Sequence, residues 1–403
     1  MSIRTDYTHT IRACCTAYVI QAAAVNYTPL LYLKFMTDYS ISLAQISTLI
    51  IVTFVIQILV DLFSTNFIDK IGYRVCAGLA HVMAAAGFIM LGFFPDMFSD
   101  PYVGILTACF FYSFGSGLIE VLVSPVVQAC PTDNKEASLA FLHSFYCWGC
   151  VFVIVLSTLF FKFFGLSNWK IMTCIWAILP VVNGIIFMIV PMPSMEDICG
   201  EGGGVSLREL IKRRIIWAII LLMFASGASE LAMSQWASAF AENGLKVSKT
   251  VGDLAGPCMF AITMGTGRIV YSKLIKHIGF LEYMIGSSVL CIISYLLAAL
   301  STNPIIALAG CALTGLSVGV FWPGSLSFAT KKCPDGGTAM FGLLAFAGDS
   351  GCTLGPSGVG FVAGIFGDNL KSGLVFAIAF PLILLFTGIF LLIKDKKDKK
   401  LKI

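Results

Sequence analysis

Seven ionisable side chains stand inside otherwise apolar runs of the sequence: Asp61, His81, Glu120, His143, Glu230, Arg268 and Asp349. An ionisable group at bilayer depth costs roughly 2.5–3.5 kcal/mol on insertion scales, so each one implies a wet cavity, a proton path or an ion pair. Glu120 carries the strongest signal. It is centred in Gly115-Ser116-Gly117-Leu118-Ile119-Glu120-Val121-Leu122-Val123-Ser124-Pro125, with a serine one turn to either side. Glycines at this depth admit close approach of another helix or a ligand, and a carboxyl so placed can exchange protons with a solute path. His143 is a candidate partner for it, as a structural ion or hydrogen-bond pair. Further on, Ser226, Glu230, Ser234 and Ser238 recur at i, i+4 steps and make one polar stripe on a helix. Trp236, with Gln235 beside it, points away from Glu230 on a regular helix, so both line one cavity only if that helix is broken. A carboxylate takes two hydroxyls and an indole packs on an apolar ring face, which suits a sugar. The competing reading of Trp236 is an interfacial belt residue.

Neutral hydrogen-bonding groups suited to hydroxyls cluster early in the chain at Gln21, Asn26, Tyr27 and Thr28. Asp349, in Ala347-Gly348-Asp349-Ser350-Gly351, binds substrate or ion, or pairs with Arg268. His81 sits among alanines and reads as a packing histidine, and Asp61 reads as part of a latch near the end of its span.

The elements that hold these residues follow from composition. Of 403 residues 58% are hydrophobic and 12% charged, and the mean hydropathy is +0.90. A soluble domain carries about twice that charged fraction. The net charge of +4 is small, and no basic face alternates with aromatics, so nucleic-acid binding is not expected. The 14 cysteines lie mostly inside apolar runs, where they read as small hydrophobes rather than a disulfide framework or metal ligands. The polar start Met1–Thr10, followed by a long apolar run, predicts a retained first span rather than a cleaved leader.

A span needs about 20 apolar residues. Twelve are predicted, near 10–36, 43–65, 75–95, 101–128, 137–163, 168–191, 213–241, 249–272, 280–300, 304–329, 337–366 and 371–393. All should be helices, because lipid offers backbone amides no partners. With the N-terminus inside, the cytoplasmic segments hold Arg4, Arg12, Lys70, Arg74, Lys135, Arg208, Lys212, Arg213, Arg214, Lys273, Lys276, Lys331, Lys332 and the tail lysines. The other side holds Lys34, Lys162, Lys170, Lys246, Lys249 and Lys371. That asymmetry puts both termini in the cytoplasm of an inner- or plasma-membrane protein. The chain divides into a six-helix half (1–191), a linker (192–212), a second six-helix half (213–393) and a basic tail (394–403). The tail reads as a solvated stop-transfer flank or as a contact for anionic lipid.

The halves echo each other. Gly117 precedes Pro125 by the same spacing as Gly315 precedes Pro323, and each half continues with a further proline, Pro131 or Pro334. Such weak symmetry is what parallel repeats of a rocking transporter leave. The segment Asp69-Lys70-Ile71-Gly72-Tyr73-Arg74 resembles the loop signature of the major facilitator superfamily, with Thr65 where that pattern has a glycine. The resemblance implies a gating latch of Asp69, Lys70, Gly72 and Arg74 between the second and third spans, with Arg268 playing a matching role at the cytoplasmic end of the eighth. The stretch Gly115–Val127, then Pro131, Ala140–Phe145 and Gly149, is similar to the fucose–proton symporter family, which also contains sodium-coupled glucose transporters. Ser124-Pro125 stands here for the family's Asn-Pro, and Ala228 for a glycine before Glu230.

That likeness implies a twelve-helix secondary transporter of two pseudo-repeats, moving a sugar or polyol by alternating access. Substrate would contact Gln21, Asn26, Tyr27, Glu120, His143, Glu230, Gln235, Trp236 and Asp349. Glu120 would couple flux to H⁺ or Na⁺, since the family's first-span aspartate is absent here. No other cofactor, no metal and no catalytic residue are expected. The partners expected are a small-molecule sugar and the bilayer, around a monomer. An exporter of drugs or other organic solutes on the same fold, and a non-transporting receptor or scaffold, are the alternatives. No histidine cluster, nucleophile elbow or phosphate loop points to an enzyme.

Overall fold

A computed structural model describes residues 3–132, 135–193, 205, 207–274 and 277–400, leaving aside the side chains of 64–67, 69, 70, 135–137, 139, 140, 272, 337–339 and 398–400. The chain forms two compact units, Met1–Gly202 and Gly203–Ile403.

The first unit holds six helical spans. The first runs Tyr7–Asn26, narrows through a 3-10 turn at Thr28–Leu31 and resumes as Tyr32–Tyr39. Pro29 in that turn has no amide hydrogen to continue the α ladder. Leu43–Ile71, Tyr73–Met97, Pro101–Ala129, Lys135–Phe164 and Trp169–Ile189 follow. Three of these starts are capped by polar side chains. Asp6 and Asp100 accept from amides two residues on, and Ser42 with Gln45 closes a reciprocal capping box. Gly72, at φ +91°, makes the one-residue corner between the second and third spans, a backbone region that favours glycine.

The second unit opens with the short helix Leu207–Leu210 and carries six more spans. The seventh, expected as one helix over 213–241, is broken. Arg214–Ser234 stops at Gln235–Trp236, and Ala237–Ala239 then leads into a π turn at Phe240–Gly244. The eighth is Lys249–Asp253, a π turn at Leu254–Cys258 and Met259–Leu274. Phe280–Leu300 is the ninth. The tenth is split into Pro304–Val318 and Phe321–Lys332. Gly337–Ile365 and the pair Leu370–Ala377 and Ala379–Lys400 complete the set.

Among the described residues, nine of these twelve are long and apolar enough to cross a membrane. The first and eighth, outside that set, are interrupted; the eleventh is rich in glycine.

Spans meet where side chains are absent, because helices in lipid associate by close packing rather than by escape from water. In the first unit a Cβ built on Gly87 would stand 2.3 Å from the Tyr112 nitrogen, and one on Gly115 2.5 Å from the Ala80 carbonyl oxygen. In the second, a Cβ on Gly351 would lie 1.9 Å from the Phe224 carbonyl oxygen, and one on Gly227 2.3 Å from that of Gly348. The seventh and eleventh spans therefore touch backbone to backbone. Gly351→Ala is expected to lower stability by about 1–3 kcal/mol, the usual cost of overpacking. Thermal unfolding in detergent measures this, and an unchanged midpoint would show that the contact yields freely.

Candidate substrate and coupling site

Three polar rungs cross the first unit on one face of the fourth span. Ser116, Glu120 and Ser124 are spaced i, i+4, i+8, so the helix itself aligns them. Gln57 of the second span donates its amide to Ser116 Oγ at 2.9 Å. One turn on, Gln21 of the first span donates Nε2 to Glu120 Oε2 at 2.7 Å. A further turn on, the Tyr18 hydroxyl meets Ser124 Oγ at 3.1 Å and His143 Nδ1 at 3.3 Å, with the two rings 5.4 Å apart. Gln21 is 5% exposed, yet its Oε1 has no hydrogen-bond partner among the described residues. The donor to Glu120 fixes which way the amide points, so an acceptor is left open beside a carboxylate. Buried acceptors are rarely left so, and a substrate hydroxyl or a water would satisfy it.

The other expected contacts fall differently. Asn26, half-buried, donates Nδ2 to the Ala22 carbonyl and to Cys150 Sγ, at 3.0 and 3.2 Å. Cys147 and Cys150, a C-x-x-C spacing one turn apart on the fifth span, are buried and not joined by a disulfide. Tyr27 is fully buried, and its hydroxyl donates to the Trp169 carbonyl at 2.7 Å and lies 2.9 Å from Thr173 Oγ1. It ties the first span to the sixth rather than facing a substrate space. Tyr27→Phe should therefore cost about 1–3 kcal/mol of stability, for buried groups left unpaired, with substrate affinity unchanged. A raised Kd at full stability would return Tyr27 to the binding set.

His81 is satisfied from both sides, with Nδ1 2.7 Å from the Ala77 carbonyl oxygen and Nε2 2.8 Å from the Asn183 amide. Its ring packs 5.0 Å from that of Phe187, as a packing histidine should. Arg74 donates to the Phe187 carbonyl at 2.8 Å and so caps the last turn of the sixth span. Gly72 makes the corner before it. The side chains of Asp69 and Lys70 lie outside the described residues.

In the second unit Glu230 is partly buried and Arg268 is within electrostatic reach of it. Trp236 is fully buried and donates its indole N–H to the Pro356 carbonyl at 2.7 Å. It braces the break in the seventh span against the eleventh, shut inside the unit rather than exposed at a belt. The helix does break between Glu230 and Trp236, but that break buries the indole. Gln235 is buried beside it, and Asp349 is 8% exposed on the eleventh span.

A charged cluster lies where the seventh and eighth spans meet. Lys249 Nζ is 2.9 Å from Asp253 Oδ1, 3.0 Å from Glu242 Oε1 and 3.0 Å from Ser238 Oγ, and Ser238 donates to Asp253 at 2.5 Å. Asp253 is wholly buried. In the sequence Lys249 reads as a loop charge at the mouth of a span. The signal for the cluster is its i, i+4 spacing to Asp253. Gln57 and Tyr18 were legible only as polar groups in apolar runs.

A helical bundle crossing the membrane with aligned polar rungs in its interior is the build of a solute carrier. The chain belongs to the major facilitator superfamily, whose model matches residues 13–356. Among solved structures it is similar to a mutant of the nucleoside transporter NupG, with TM-score 0.78, 13% identity and coverage of 94% of this chain and 99% of that one. A variant of the E. coli fucose:proton symporter, FucP, gives TM-score 0.65 at 15% identity, covering 95% of this chain and 98% of that one. A D-xylose-proton symporter gives 0.76 at 11%, covering 95% and 96%. At such identities the likeness is one of fold. No curated protein matches the sequence.

Proposed function

We propose that the chain is a secondary active transporter of a sugar or sugar-like polyol, working by alternating access and coupled to H⁺ or Na⁺. The observation that carries this is the Gln21–Glu120 rung, an ionisable group at span depth with a buried, open acceptor beside it. An open acceptor and a carboxylate are what a vicinal pair of hydroxyls requires. Glu230 in the second unit, with Arg268 within electrostatic reach, supplies a further carboxylate for the same cycle. The structural neighbours support the substrate class, since two are symporters of fucose and of D-xylose with protons. NupG favours a second reading, a nucleoside, which presents a pentose to the same groups. Lysine and arginine placement supports cytoplasmic termini in an inner or plasma membrane. The chain is taken to act as a monomer, without enzymatic chemistry or cofactor. Uptake into proteoliposomes of hexoses, deoxyhexoses, pentoses, polyols and nucleosides, under inward H⁺ or Na⁺ gradients, tests the proposal. Accumulation of at least one sugar or nucleoside is expected. No uptake of any of them under either gradient would discard the reading.

A further inference from the structure

We infer that the end of the second unit bearing residues 207–217 is a docking surface for the headgroups of anionic lipids.

Three separate segments are tied together there. Arg213 clasps the Asp335 carboxylate with two hydrogen bonds, 2.7 and 2.5 Å long, and the Val205 amide donates to the Asp335 carbonyl at 3.0 Å. Lys332, three residues before Asp335, pairs with Asp395 on the extension of the twelfth span. The lead-in to the seventh span, the connection between the tenth and eleventh, and the end of the twelfth thus share one surface. With Arg213 and Lys332 engaged by carboxylates, Lys212, Arg214, Lys331, Lys394, Lys396 and Lys397 remain as exposed positive charge.

Two observations set the depth of that charge. Trp217 is 58% exposed and turns its indole N–H back to the Ile211 carbonyl at 2.8 Å, so its polar edge faces the basic segment and its apolar body the span. That is how a tryptophan sits at the membrane–water boundary. On the lead-in, Leu207 and Ile211 are exposed at i, i+4 beside Arg208 and Lys212. A short apolar stripe edged with basic residues lies in the interface plane. The twelfth-span helix continues unbroken from its apolar part into Lys394–Lys397, which puts its first basic turn at the same level. Positive charge at headgroup depth meets phosphate, and an anionic lipid offers it with no neutralising amine.

The test uses the full-length protein in micelles holding equal amounts of phosphatidylglycerol and phosphatidylcholine, with bound lipids counted by native mass spectrometry. Wild-type protein should retain phosphatidylglycerol about tenfold or more over phosphatidylcholine, each basic residue being worth roughly fivefold near an anionic surface. Lys212→Gln/Arg214→Gln/Lys394→Gln/Lys396→Gln should bring the ratio close to one, while Lys34→Gln/Lys371→Gln should leave it high. A salt series on wild-type protein needs no variant: exposed charges are screened as the Debye length shrinks from about 10 Å at 0.1 M to about 3 Å at 1 M, so the preference should collapse. No wild-type preference, a preference indifferent to salt, or one kept in the quadruple variant would overturn the inference. So would displacement of the lipid by soluble glycerophosphate at equal concentration, since the surface would then be a site for free phosphate compounds.

Discussion

Glu120→Gln is expected to abolish gradient-driven accumulation while leaving exchange of substrate across the membrane intact. The amide is nearly isosteric and still accepts from Gln21 Nε2, the donor 2.7 Å from Glu120 Oε2, so the rung and the fold survive. What disappears is a group that can bind and release a proton or neutralise a cation. One co-ion moving through 100 mV contributes about 2.3 kcal/mol, enough for nearly fifty-fold accumulation. The variant should fall to simple equilibration, with counterflow rates within a few-fold of wild type. Proteoliposomes loaded with unlabelled substrate measure the counterflow, and an imposed gradient measures accumulation. Wild-type accumulation in the variant would move coupling away from Glu120, with Glu230 the next candidate.

The second large effect concerns stability. Lys249→Met leaves the Glu242 and Asp253 carboxylates facing Ser238 with no ammonium between them, and Asp253 has no exposure to solvent. Breaking a buried pair by removing one partner typically costs about 3–5 kcal/mol, because the remaining charge is left uncompensated. Thermal unfolding should fall steeply for Lys249→Met, and by less for Asp253→Leu, which leaves the lysine paired with Glu242 alone. The double variant Lys249→Met/Asp253→Leu should recover part of the loss, since contacting residues are not additive. If the two single losses simply add, the pair is not coupled and the cluster is a set of independent contacts.

The spans were legible in the sequence because length and apolar content decide whether a helix can cross lipid, and neither depends on tertiary context. Their interruptions were legible only in part. Pro29 marks the break in the first span and Gly256-Pro257 falls inside the π turn at 254–258, but the extra residue of that turn, and of the one at 240–244, is invisible to hydropathy. Residue types at the rungs were readable, yet pairing was not. Nothing in the spacing says that Gln21 meets Glu120 across 99 residues. Aromatic residues show this most clearly. Tyr27 and Trp236 have the chemistry of sugar contacts, but both spend their polar atom on a backbone carbonyl of another span. A side chain that can greet a ligand can equally fasten two helices, and only the partner decides.

The π turn at Leu254–Cys258 does more than interrupt a helix. A π turn holds one residue beyond the α-helical count, and each residue of an α-helix advances the azimuth by about 100°. The stretch that follows, Met259–Leu274, is thereby dialled round relative to Asp253, and Arg268 travels with it. Excising Gly256 would restore the ordinary winding and swing the guanidinium roughly a quarter-turn off its bearing toward Glu230. The compass heading of that arginine is thus written well upstream of it, in a single supernumerary peptide unit.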